Sequence, residues 1–102
     1  MKPFDIHFAS YRWRQRDYGG FLLLVRSEGE DWLCFAISSH DYGNEAFELS
    51  RLDPDFPATG LDHTSYVFDG APFCRITPAE TGNRKGELRG QLLAAFRKES
   101  GV

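Results

Sequence analysis

The sequence has no long hydrophobic stretch. Its longest apolar runs, Phe21 to Val25 and Trp32 to Ile37, stop far short of the ~20 residues that cross a bilayer, and no basic-then-apolar signal pattern opens the chain. No membrane partner and a cytoplasmic location are therefore expected. Cysteine is also scarce. Cys34 and Cys74 both lie in apolar surroundings, Trp32-Leu33-Cys34-Phe35 and Phe73-Cys74-Arg75-Ile76, where buried thiols are expected rather than a disulfide or a metal site. His7 and His63 form no metal-ligand spacing with either cysteine, so no metal and no cofactor are assigned. Repeats and low-complexity tracts are missing, and so is an excess of positive charge: the net charge is −3. A phosphate-binding surface would have to come from local clustering of bases rather than from their total. Two such clusters exist, Arg12, Arg14 and Arg16 in one segment and Arg84, Lys85, Arg89, Arg97 and Lys98 near the C-terminus.

What is present is enough for one core. The 102 residues are 41% hydrophobic, with nine Phe, four Tyr and two Trp, and a chain of this length buries about 65% of its unfolded surface. A single domain spanning residues 1–102 is expected. Phe4 to Phe8 alternates apolar and polar residues as a half-buried strand does. Ser10 to Gly20, polar, arginine-bearing and closed by Gly19-Gly20, reads as a long loop. Phe21 to Val25 and Trp32 to Ile37, joined across Gly29, read as a central antiparallel hairpin. Ala46 to Leu49 and Ser65 to Phe68 read as short strands; Phe68 to Ala71 then turns the chain and Phe73 to Ile76 returns it. From Glu87 to Lys98, Leu88, Leu92, Leu93 and Phe96 share one face at helical spacing. The expectation is a mainly β fold with a C-terminal α-helix, its sheet bent or closed into a small antiparallel barrel under a helical lid.

Four landmarks occur in order along this frame: Phe4-Asp5-Ile6; the strand ending Ala36-Ile37-Ser38-Ser39; Gly60-Leu61-Asp62-His63-Thr64-Ser65-Tyr66-Val67; and Arg84-Lys85-Gly86-Glu87-Leu88 leading into the helix. Together they resemble the PemK/MazF family of toxins from toxin-antitoxin modules. The resemblance implies a strongly bent antiparallel β-barrel, shared with the CcdB gyrase poisons, and a homodimer with a cognate antitoxin. It also implies metal-independent cleavage of single-stranded RNA by the substrate's own 2′-hydroxyl, leaving a cyclic phosphate. Chemistry of that kind needs a proton carrier and groups that steady the charge of the transition state.

By position, Ser38 matches the family's catalytic Thr or Ser. The family's Arg-Pro is absent, because Tyr18-Gly19-Gly20-Phe21 stands in its place. Arg16 is the expected substitute, with Arg14 next, and both are upstream in the same segment. Asp41 would set a carboxylate near an incoming phosphodiester and weakens the enzyme reading. Tyr11, Trp13 and Tyr18 interleave with Arg12, Arg14 and Arg16, an arrangement suited to stacking bases and neutralising phosphates, or to holding an antitoxin segment. Ser39 and His40 extend that binding surface, His40 with an imidazole able to carry a proton. The alternative is a member that has lost cutting and only binds an antitoxin, nucleic acid or another partner. A gyrase poison is the least favoured reading, because the chain ends Ser100-Gly101-Val102 and lacks the Trp of the CcdB end.

Overall fold

The structure is a computed structural model that describes residues 1–13, 15–41, 46–70 and 73–102, with the side chain of Trp13 outside the description. Strand β1 (Asp5–Trp13) and strand β2 (Arg16–Glu28) pair antiparallel from Ile6 opposite Leu23 out to Trp13 opposite Arg16. The segment expected to be a loop is thus the far half of a hairpin. Past Ala9 and Gly20 the two strands cover little core, Tyr11 alone packing against the smaller apolar cluster, yet their backbone bonds to each other hold the extended form. Strand β3 (Asp31–Ser38) returns along β2 as expected, across a turn in which Gly29 has φ 65°. A register shift between Leu24 and Arg26 adds local twist to the pair.

The second edge of β3 is shared. Strand β5 (Ser65–Val67) pairs with Ile37 and Ser38, and strand β6 (Cys74–Ile76) pairs with Trp32 to Cys34. The expected return of one of these segments along the other is therefore replaced by both docking on β3, which is long enough to take the two end to end. Strand β4 (Phe47–Leu49) adds to β5, and strand β7 (Thr81–Glu87), which the sequence reading did not anticipate, adds to β1. The seven strands form one antiparallel sheet in the order β4-β5-β3-β2-β1-β7 with β6 beside β3. Among the described residues the sheet is not closed.

Helix α1 (Gly90–Ser100) covers one face. Phe96 is fully buried, with its ring set edge-on to Phe47, Phe35 and Phe4 at 5.3, 6.3 and 6.5 Å between centroids. Ile6, Leu23, Ile37, Leu49, Val67 and Leu92 complete this core. The helix begins later than Glu87: the Leu88 amide still donates to the Phe4 carbonyl at 2.8 Å, so Leu88 is buried from the strand side. Ala9, Leu22, Leu24, Cys34 and Ile76 form a smaller cluster on the opposite face. Cys34 and Cys74 stand opposite each other across β3 and β6 as buried free thiols. Burial pushes Cys34 up to about 12 and Cys74 to about 11, so both thiols stay protonated and act as small apolar side chains. No helix among the described residues is long and apolar enough to cross a membrane.

The helix takes its cap from a distant residue. Asp55 Oδ2 accepts from the amides of Gln91 and Leu92 at 3.0 and 3.3 Å, and Gly90 at φ 64° leaves room for that carboxylate. A carboxylate at a helix N-terminus satisfies orphan amides and meets the positive end of the dipole. Asp55→Ala should therefore lose about 1–2 kcal/mol, read as a lower urea midpoint at unchanged slope. A midpoint equal to the parent's would show that water replaces the cap without loss.

Candidate functional site

Ser38 is the last residue of β3, half-buried, and pairs with Tyr66 of β5. Its Oγ accepts from the His40 amide at 3.1 Å, which turns the chain away from the sheet and still leaves the hydroxyl proton for another acceptor. Opposite this strand end comes the segment that follows the 3-10 turn Phe56–Thr59. Gly60 there has φ 72°, and the Thr59 hydroxyl accepts from the Leu61 amide at 3.2 Å while donating to the Phe56 carbonyl at 2.6 Å. Ser65 Oγ donates to the His63 carbonyl at 2.8 Å, fixing the approach to β5.

Two glycines bring the segments together. A Cβ on Gly60 would lie 2.1 Å from the Lys85 carbonyl oxygen, and one on Gly86 would lie 2.3 Å from the Ala58 oxygen and 2.4 Å from Thr59. The 3-10 turn and β7 thus touch backbone to backbone, an approach open only to residues without a side chain. The contact presents Lys85 beside His63 and the end of β3. An open cleft of about 120 Å³ results, with Phe21, Ile37 and Leu61 as its apolar wall. Its polar side is made by Ser38, Ser39, His63, Ser65 and Lys85, with Asp62 contributing a carboxylate.

Among the described residues that line the cleft, Lys85 brings an ammonium and Asp62 a carboxylate. Lys85 Nζ lies 5.6 Å from the centroid of the Phe21 ring, which holds the charge at the cleft wall by cation–π attraction. The neighbouring bases are engaged elsewhere: Arg84 pairs with the buried Asp5 at 3.2 Å and with Glu87 at 3.6 Å, and Arg89 approaches Glu87 at 3.9 Å. The deeper Asp5 carboxylate also lies 3.8 Å from His7, whose Nδ1 is 3.2 Å from the Gly82 carbonyl, so this group ties β7 to β1.

The residues singled out in the sequence divide. Ser38 and Ser39 line the cleft, and His40 follows them, exposed, with its amide on Ser38. Arg16 does not reach them. Ile37 pairs with Phe21, and Arg16 is five residues earlier on β2, about 16 Å away at ~3.3 Å per residue. Arg12 sits at the same hairpin tip, 3.7 Å from Asp17 in an exposed ion pair that contributes little. Tyr18 stacks on Tyr11 with centroids 5.6 Å apart, and burial is the main cause that pushes the Tyr11 phenol up to about 12. The backbone of Trp13 pairs with Arg16, and Arg14 lies outside the described residues.

Lys85 and His63 are, with Asp62 and Ser65, among the cleft residues that the sequence reading did not assign. Both belong to the landmark segments, so the signal was there, but only the backbone contact of Gly60 and Gly86 reveals that they face Ser38. No family model matches the chain, and no curated protein matches it.

Proposed function

We propose that the chain is an endoribonuclease of the PemK/MazF kind that cuts single-stranded RNA through the substrate's 2′-hydroxyl, in the cleft of Ser38, His63 and Lys85. One observation supports it above all: the landmark segments ending at Ser39, running from Gly60 to Val67 and containing Lys85 each bring residues to a single cleft. In the reaction the 2′-hydroxyl gives up its proton and its oxygen attacks phosphorus. The bond to the 5′-oxygen breaks, and that oxygen takes up a proton. A 2′,3′-cyclic phosphate and a 5′-hydroxyl remain.

Each role needs a group of the right chemistry. The Lys85 ammonium takes the place of the missing arginine and offsets the charge on the phosphoryl oxygens. Ser38 donates its hydroxyl proton to one of those oxygens, and His63 supplies an imidazole for proton transfer. The same reading makes the bent sheet a form of the family's small barrel. It also makes the protein a cytoplasmic homodimer with an isologous interface, and the β1–β2 ribbon, with Arg12, Trp13, Arg16 and Tyr18, a place for an antitoxin segment or flanking RNA.

The purified protein should cut single-stranded RNA in the presence of a chelator and leave cyclic-phosphate ends. Ser38→Ala should lower kcat about 100-fold with little change in RNA affinity, because the lost bond is made mainly in the transition state. RNA bound but uncut at every salt concentration would replace the enzyme with the non-catalytic binder.

A further inference from the structure

The cross-strand registers place Phe8, Phe21, Ile37, Val67 and Phe47 in one row across the sheet. Ile37, Val67 and Phe47 are buried in the main core, and Phe21 packs against it. Phe8 points to the same side but belongs to neither apolar cluster, and 44% of it is exposed. Its ring meets Phe21 edge to face at 5.7 Å, and Phe21 is part of the apolar wall of the cleft. The surroundings leave its outer side open. Gly82 of β7 lies against the Phe8 backbone, and Gly19, diagonal to it on β2, has only the tip of the Phe8 ring within reach of a Cβ, at 3.7 Å. Two residues without side chains thus flank an aromatic ring that the fold leaves partly exposed.

We infer that Phe8 is a base-stacking subsite, receiving the nucleobase next to the phosphodiester held in the Ser38 and Lys85 cleft. This rests on the ribonuclease reading and names how the substrate is gripped there. Chemistry favours a nucleotide over an apolar protein segment. The ring continues directly into a wall whose far side holds an ammonium 5.6 Å from Phe21 and the hydroxyls of Ser38 and Ser39, with the Asp62 carboxylate on the same lining. A base on Phe8 and its phosphate at Lys85 use both halves of that surface, whereas an apolar helix would bury the ammonium. Stacking on one ring accepts any base, so the subsite adds affinity without sequence preference.

The test uses a 2′-O-methyl single-stranded RNA about six nucleotides long, which binds without being cut, and variants with an abasic spacer at each position in turn. Phe8→Ala should weaken binding of the intact strand by roughly 5- to 100-fold, Phe8→Trp should retain it, and Phe8→Leu should behave like the alanine variant. In the parent protein one abasic position should give a comparable loss, and that loss should vanish in Phe8→Ala. Equal affinities of parent and Phe8→Ala overturn the subsite, and so does a Phe8→Ala defect that persists at every abasic position. If the parent cuts ordinary RNA while Phe8→Ala binds normally, the subsite falls and the ribonuclease reading stands. If it binds but never cuts, the cleavage reading falls and the abasic series still decides the subsite. If it binds no RNA at all, both fall. A dimer that Phe8→Ala converts to monomer in sedimentation would give the ring to a second copy of this chain and overturn the proposal.

Discussion

Gly86→Ala is expected to cost the protein ~3 kcal/mol or more, a large part of the 5–15 kcal/mol that holds a domain of this kind folded. The added methyl would meet the Ala58 oxygen at 2.3 Å and Thr59 carbon and oxygen at 2.4 Å, all of them backbone atoms that cannot rotate aside. Relief requires β7 to part from the 3-10 turn, and that opens the cleft. Gly60→Ala should be comparably severe, since its Cβ would lie 2.1 Å from the Lys85 oxygen and its φ of 72° is costly for any L residue with a side chain. Because both methyls force apart the same junction, the double variant should lose less than the sum of the two. Gly29→Ala provides the contrast. Its φ is 65° but nothing lies within 4 Å of the added atom, so only the backbone term of about 1 kcal/mol applies. Urea unfolding of the four proteins checks the order; a Gly86→Ala midpoint no lower than that of Gly29→Ala would show that the junction yields cheaply.

The junction also explains which parts of the molecule could be read in advance. Strands β2 and β3 carry continuous apolar runs because both faces of their central part are covered, and the Leu92 and Phe96 spacing marks the helix face that covers one of them. Strand β7, Thr-Gly-Asn-Arg-Lys-Gly-Glu, has no apolar alternation and two glycines, so nothing local announces a strand. Its extended form comes from bonding to β1, and its glycines are there for close approach rather than for turns. The same reasoning covers the β1–β2 ribbon. Its polar residues and Gly19-Gly20 resemble a loop because past Ala9 only Tyr11 packs against a core cluster. Arg16 was the expected substitute because it lies a few residues upstream of Tyr18-Gly19-Gly20-Phe21 in that segment. A paired strand fixes it instead at the tip, and the cleft cation becomes Lys85, a residue remote in sequence from Ser38.

On the proposed ribonuclease reading, Lys85→Gln should lower kcat for RNA cleavage by about 1,000-fold, the largest loss among single substitutions at the cleft that leave the fold intact. The amide keeps most of the length and some hydrogen-bonding capacity of lysine but removes the charge, and the phosphoryl oxygens need that charge most when the bond order around phosphorus changes. Lys85 is exposed, and Gln keeps both the carbonyl and the Cγ that lie against Gly60, so stability should change little. Lys85→Arg should recover much of the rate, since a guanidinium restores charge and donors of the kind the family places in its Arg-Pro. Arg16→Gln should act differently. At the hairpin tip, about 16 Å along β2 from the Phe21 level, it should weaken RNA binding modestly and flatten its salt dependence by about one ion while leaving kcat near the parent value. Single-turnover cleavage at saturating RNA, run in parallel with binding at several salt concentrations, separates the two effects. A large kcat loss in Arg16→Gln with Lys85→Gln unimpaired would return the catalytic charge to the ribbon, as the sequence alone suggested, and would require the tip to fold over the cleft or to reach the cleft of a second copy.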